Sequence, residues 1–239
     1  MLGLFHSLLY KPLYNGLIAL MDILPWFDAG VIVILFTILV KLAIFPLSRK
    51  AVTAQMELKA IEPELTAIRE KHKSDKQEQA RKTMDLYKER KINPFSSIFV
   101  ILIQLPIIFA LYFVFLKSGL PVLNMDLLYS FIPQPENISM NFLGVIDITG
   151  KNIVLALLAG VSSFFQIRFS VPAVKKKEGS SAPSFKDELA RSMSLQMRYV
   201  FPVIVFLISY SISGVIALYW TTSNLFTLGQ EIIIRKRYK

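Results

Sequence analysis

Lys41 is the only charged residue in the run VIVILFTILVKLAIFPL, residues 31–47, where every other position except Thr37 is apolar. An ammonium at such depth costs about 2.5 to 3.5 kcal/mol on insertion scales unless water or protein dipoles reach it. Other polar groups recur in apolar surroundings: Gln104 in LIQLPIIFALY, Gln166 and Arg168 in SSFFQIRFS, and Thr221, Thr222, Ser223, Asn224 and Gln230 after LYW. Singly, such residues act as glue between helices; together they can line a hydrated cavity. A cation in a polar groove would attract acidic or hydrophilic stretches of another chain and lower the cost of drawing them into an apolar medium. The simpler alternative for Lys41 is snorkelling, in which the stem carries the charge toward headgroups. Phe45, Pro46 and Leu47, which separate it from the next basic residues, count against that.

The same residues exclude much other chemistry. His6 and His72 show no metal-ligand spacing, and neither an H-E-x-x-H helix nor a G-x-S-x-G elbow occurs. Cysteine is absent, which removes disulfides, thiolate metal sites, a thiol nucleophile and an acylated lipoprotein cysteine. The apolar segments hold no carboxylate apart from Glu231 near the end of the last one, so a proton relay is hard to build, and no inverted repeat suggests a transporter. No catalytic residue, metal site or cofactor is expected, and the chain does not read as an enzyme.

The elements that must position these groups follow from composition. Of 239 residues, 54% are hydrophobic, above the roughly 45–50% of a soluble domain. The apolar runs are continuous rather than alternating, so the expected fold is all-α and polytopic. Since a bilayer needs about 20 apolar residues in a helix, five spans are expected, at 30–48, 94–117, 152–171, 199–212 and 213–234. The fourth is short. Residues 1–29, with Leu4, Leu8, Tyr10, Leu17, Leu20 and Leu24 at roughly helical spacing but interrupted by Asn15 and Asp22, suit an amphipathic helix in the interface. They lack the pattern of a removable signal peptide.

The formal charge is +10, and its placement fixes an expected orientation. Basic residues crowd into 49–93, the loop 172–198 and the tail 235–239, while the loop 118–151 holds only Lys151 beside Lys117. By the positive-inside rule the crowded segments are cytoplasmic, giving a multi-pass protein with its N-terminus out and C-terminus in. The excess charge then reports topology and anionic lipid, and a dedicated nucleic-acid module loses support. Within 49–93, good helix formers break near KHKSDKQ, where Ser74 and Gln77 resemble a capping box, so a cytoplasmic helical hairpin is expected. Ile61, Leu65 and Ile68 on one arm and Ala80, Met84 and Tyr87 on the other give narrow apolar stripes, and Pro63 marks a kink or restart. A solvated hairpin without a partner is the bland alternative to a docking arm. The segment 138–152 is left open between an external helix and irregular structure.

Three stretches carry a resemblance: PLSRKAVTAQMELKAIEPELTAIREKHK, MDLYKERKINPFSSIFVILIQLPIIFALY and LYWTTSNLFTLGQ, together reaching over about residues 30–235. Their order resembles the YidC/Oxa1/Alb3 family of membrane-protein insertases. The resemblance implies a five-helix core with a hydrophilic groove open to cytoplasm and lipid, working without nucleotide hydrolysis in a bacterial plasma membrane. It places Lys41 where the family has an arginine, so the charge is kept while the planar guanidinium fork is lost. It also maps Gln104, Gln166 and Trp220 onto groove positions. Nascent membrane proteins and lipid are the implied partners, with the Sec translocon and targeting factors as further candidates. The tail RKRYK is too short to resemble the long basic extensions that hold ribosomes, which argues against ribosome contact. The rival readings are an ion or small-solute channel or transporter and a non-insertase assembly factor.

Overall fold

A computed structural model describes residues 2–93, 109, 112–114, 122–135, 138–170 and 192–237. Most of the expected span 94–117, with Gln104, and most of the loop 172–198 lie outside the described residues. The chain divides into two compact units, 1–42 with 108–231 and 43–107 with 232–239. The described part is mostly helical: α1 (Leu2–Phe5), a π-helical turn (His6–Tyr10), α2 (Lys11–Ile23), α3 (Ala29–Ala43), α4 (Phe45–Ala60), α5 (Glu62–Lys71) and α6 (Lys76–Glu89). A small hairpin of β1 (Asn141–Phe142) and β2 (Ile146–Asp147) precedes α7 (Ile153–Ser170), and a second π-helical turn (Gln196–Val200) leads into α8 (Phe201–Ile212) and α9 (Gly214–Arg237).

Among the described residues two helical stretches are long and apolar enough to cross a bilayer, Ile153–Ser170 and Ser192–Ile212, and a third if α3 and α4 count as one broken span. The helix expected to start at 199 is already helical at Ser192, and the 21 described residues Ser192–Ile212 remove the shortness inferred from sequence. Ser192, Ser194, Gln196 and Arg198 hid its first turns from a hydropathy reading. The outward faces of α7 and α8 are apolar and about half exposed, among them Leu157, Val161, Phe165, Val203, Ile204 and Leu207. A contiguous exposed surface of this kind belongs against lipid.

In the first unit the starts of α3, α7 and α9 gather around the hairpin. Asp28 caps α3 by accepting from the Val31 N–H at 3.0 Å, while its second oxygen accepts from the Leu143 N–H at 3.0 Å. The Ala29 N–H donates to the Ser139 carbonyl at 2.8 Å. Gly30 lets the Phe142 ring lie on the helix start, because a Cβ there would stand 2.4 Å from a ring carbon. β1 and β2 pair antiparallel, Asn141 opposite Asp147 and Phe142 opposite Ile146, so the segment left open by the sequence is a hairpin. Two bonds from Thr149, one from its hydroxyl and one from its N–H, hold the Asp147 carboxyl below the usual carboxylate range. The Gly214 and Val215 N–H groups donate to the carbonyls of Gly150 and Ile148 at 2.9 and 3.1 Å, and Asn152 caps α7 through the Leu155 N–H.

From that end α7 and α9 run in the same direction, since Ser162 meets Asn224 and, further along both, Ser170 meets Glu231. α8 runs back along α7, with Tyr199 beside Phe164 and Phe206 beside Gly160, where a Cβ would lie 3.0 Å from Phe206 Cβ, and it ends at Ile212 just before α9 starts.

Of the stripe that the sequence offered to lipid, Tyr10 and Leu17 are buried and Leu8 is exposed; on α2, Tyr14, Ile18 and Met21 are buried as well, while Ile23 is exposed. Asn15, read from sequence as an interruption, is buried and fully used. It donates to the Lys11 and Leu127 carbonyls at 2.8 and 2.7 Å and accepts from the Tyr129 N–H at 2.6 Å. The Tyr14 hydroxyl accepts from the Asn124 N–H at 2.9 Å, so α2 is latched to the loop 122–135 by polar bonds.

In the second unit Pro63 lies in the first turn of α5, where a missing N–H costs nothing, so the helix restarts after Ile61 rather than kinking. α6 is capped by Asp75, which accepts from the N–H groups of Gln77 and Glu78, rather than by Ser74. Arg90 pairs with Glu64 at 2.7 Å and Gln79 bonds the Arg69 carbonyl at 3.0 Å, so α5 and α6 run antiparallel. Their shared core is Ile61, Leu65, Leu86 and Ile92, flanked by Leu58, Ile68 and Tyr87; Ala80 and Met84, assigned to the stripe from sequence, are exposed. Leu86 was missed inside α6, and Ile92 because a left-handed Lys91, φ 53°, just after the helix folds it back onto Tyr87. The Ile92 N–H donates to the Tyr87 carbonyl and the Lys91 N–H to that of Lys88, which is a Schellman closure without the usual glycine.

Candidate polar groove on α9

Trp220, Ser223, Asn224, Thr227, Gln230 and Glu231 recur at three- and four-residue steps, so they share one face of α9. That face meets both α3 and α7. Asn224 Nδ2 donates to Ser162 Oγ at 3.1 Å and points at the Ala159 carbonyl, which Ser162 also bonds at 3.0 Å. Two turns on, Gln166 Nε2 donates to Ser170 Oγ at 2.9 Å, and Ser170 Oγ donates to Glu231 Oε1. Glu231 is only 4% exposed.

Lys41, on the last turn of α3, is 8% exposed and donates from Nζ to Thr227 Oγ1 at 3.1 Å. Thr227 in turn donates to the Ser223 carbonyl at 2.8 Å, its own preceding turn. Lys41 therefore turns toward α9. Glu231 lies one turn beyond Thr227 on the same face of α9, about 5–6 Å between Cβ atoms. Gln230, 6% exposed, has an Nε2 that finds no acceptor among the described residues. A buried donor in that position is costly unless water or a ligand satisfies it.

Of the residues singled out from sequence, Lys41 and Gln166 thus converge on α9 through Thr227 and Ser170. Trp220 is half-buried on the same stripe, about 10 Å from Thr227 along the helix axis. Gln104 lies outside the described residues. Arg168, which the sequence placed beside Gln166, is exposed and lies 5.9 Å from the centre of the Phe164 ring, away from the stripe. The sequence reading missed Thr227 and Ser170 and treated Glu231 as a helix end. The heptad-like recurrence from 220 to 231 was the available signal.

The arrangement offers a mixed set of charged and neutral hydrogen-bonding groups among apolar helices. Among the described residues no group of three or more His, Cys, Asp or Glu is placed to hold a metal ion. What the stripe can do is exchange hydrogen bonds and charge contacts with a polar segment.

Comparison with known proteins gives one consistent result. The family model described as 60Kd inner membrane protein matches residues 21–239. The membrane protein insertase YidC of Fusobacterium nucleatum is 34% identical over 208 residues, which cover 87% of this chain and 86% of that protein. The membrane protein insertase YidC of Clostridium tetani is 32% identical over 213 residues, covering 89% and 84% respectively. That of Francisella tularensis subsp. novicida is 32% identical over 211 residues, 88% of this chain but 33% of its own length.

Proposed function

This chain belongs to the 60Kd inner membrane protein family, and from that premise we propose that it receives the polar flank of a nascent membrane protein on the α9 stripe while the apolar part enters lipid beside it. The observation that carries the reading is the convergence of Lys41, Gln166 and Glu231 on one face of α9 inside an otherwise apolar bundle. Lys41 supplies attraction for acidic flanks, Gln166 and Gln230 supply neutral hydrogen bonds, and Trp220 lies on the same face. The Gln230 donor without an acceptor supports a stripe that takes up water or substrate. No bond is made or broken. A polar segment trades bonds to water for bonds to these groups, and its transfer cost falls accordingly.

The proposal extends to topology. Five spans follow from the apolar runs of the sequence, and an N-terminus outside, a C-terminus inside and α5 and α6 as a cytoplasmic hairpin that receives substrates or delivery factors follow from its charge placement. α2 is placed at the outer interface. The parallel course of α7 and α9, with α8 antiparallel to α7, supports that order. Gln104 enters as a further groove position through the family resemblance alone.

The test is site-specific photo-crosslinking from positions 41, 166 and 220 to a stalled, single-span nascent chain. Crosslinks to the polar flank at all three, lost when the chain is released, support the reading. Crosslinks confined to lipid-facing positions such as 157 and 165 refute it. Solute flux through purified protein in liposomes without insertion would instead favour a channel, and stable co-purification without transient crosslinks an assembly factor.

A further inference from the structure

The hairpin at which α3, α7 and α9 start ends in an apolar tip. Its turn, Leu143, Gly144 and Val145, carries Leu143 at φ 52° and Gly144 at φ 72°. Turn positions with positive φ favour Gly, Asn or Asp, yet Leu143 is 68% and Val145 84% exposed. Beside water these two side chains would gain nothing. The Asp28 carboxylate, bonded to the Leu143 N–H, fixes the tip next to Trp26 and Phe27, which are also exposed.

The bilayer boundary must pass at this level. α7 is long and apolar enough to span, and its first residues, Ile153 and Val154, are more than half exposed, so lipid begins within a few residues of the hairpin. Trp26 on one side and the exposed Lys151 on the other are the residue types that settle among headgroups. Asp147, its carboxylate turned onto Thr149, lies at the base of the hairpin and leaves the tip apolar.

We propose that Leu143, Val145, Trp26 and Phe27 form an interfacial anchor that dips into the lipid surface and holds this end of the bundle at headgroup level. The occupant is lipid, because the patch continues the lipid-facing surface of α7 past the helix start.

The chain has no cysteine, so single cysteines can be placed at Leu143, Val145 and Gly150, with Leu158 as a lipid-facing reference, and each labelled with a nitroxide. All four positions are exposed, so the label disturbs no core. In vesicles of phosphatidylethanolamine and phosphatidylglycerol, collision rates with oxygen and with a water-soluble nickel chelate are compared. Labels at 143 and 145 are expected to resemble 158, several-fold more accessible to oxygen than to nickel, while 150 is open to nickel. Nickel access at 143 and 145 equal to that at 150 overturns the anchor. Nickel access in vesicles that disappears only in native membranes also overturns it, in favour of a protein partner. The measurement reads depth from either side, so it stands apart from the orientation and from the substrate-binding role of the stripe.

Discussion

Replacing Lys41 by Met keeps the stem and removes the charge, which isolates the electrostatic part of the proposed groove. The ammonium is held 3.1 Å from Thr227 Oγ1 and is 8% exposed, so an incoming carboxylate would meet it in surroundings between bulk water and protein interior. At about 5 Å the Coulomb attraction is about 0.8 kcal/mol with a dielectric of about 80 and about 3.3 kcal/mol with about 20. Loss of the charge should therefore weaken capture of an acidic flank by about 4- to 270-fold. The assay is protease protection of a single-span substrate in proteoliposomes, titrated to half-saturation, with an acidic N-tail and with a glutamine tail of equal length. Lys41→Met should shift the acidic substrate by that factor and the glutamine one by far less; Lys41→Glu should shift it further, and Lys41→Arg should restore it. Equal loss for both tails would mean that Lys41 only holds α3 on α9. No loss for either would remove the charge from the mechanism.

Four further outcomes follow from local geometry. Asn15→Leu leaves the buried Leu127 carbonyl and Tyr129 N–H without their partner, about 1–3 kcal/mol for each, and should lower the melting temperature in detergent while opening the loop 122–135 to protease. Gly160→Val drives branched carbons against Phe206 Cβ at 3.0 Å and the Pro202 carbonyl at 3.2 Å, so thermal unfolding should show a loss of about 1–3 kcal/mol. Gly229→Ala, within α9 and with nothing among the described residues within 4 Å of the new Cβ, should raise stability by about 0.5–1 kcal/mol in the same measurement. Lys91→Gly relieves a left-handed lysine at the end of α6, worth about 1 kcal/mol, and slowed amide exchange over residues 86–92 is the readout.

What the sequence revealed and what it hid divide along a physical line. Helices α3, α7 and α8 were legible because lipid-facing surface demands long apolar runs, and Lys41 and Gln166 were legible because a polar residue in such a run is expensive. The hairpin at 141–147 was not, since two residues per strand leave no period to detect, and its Leu143 breaks the turn preference that would have announced it. Asn15 looked like an interruption because its three partners include Leu127 and Tyr129, more than a hundred residues away, which no local pattern encodes. The Asp75 cap was displaced by one residue toward Ser74 because both residue types cap, and only the N–H groups of Gln77 and Glu78 choose between them.

α9 shows why the groove was harder to see than the cation in it. A surface helix turns its polar stripe to water; here the stripe from Trp220 to Glu231 turns toward α3 and α7. Hydropathy averages such a helix into an undistinguished segment, so Thr227 and Glu231 were lost among helix-end residues. In lipid, however, apolar contact gives helices no reason to associate, and interhelical hydrogen bonds of about 0.6–2 kcal/mol each do much of that holding. Lys41 to Thr227, Asn224 to Ser162 and Ser170 to Glu231 are therefore structural bonds as well as the proposed receptor. In the proposed mechanism a substrate's polar flank replaces some of these partners by others of similar strength. Such an exchange is near balance by construction: the flank enters because its own desolvation is offset, and it leaves because the helices reclaim the same groups.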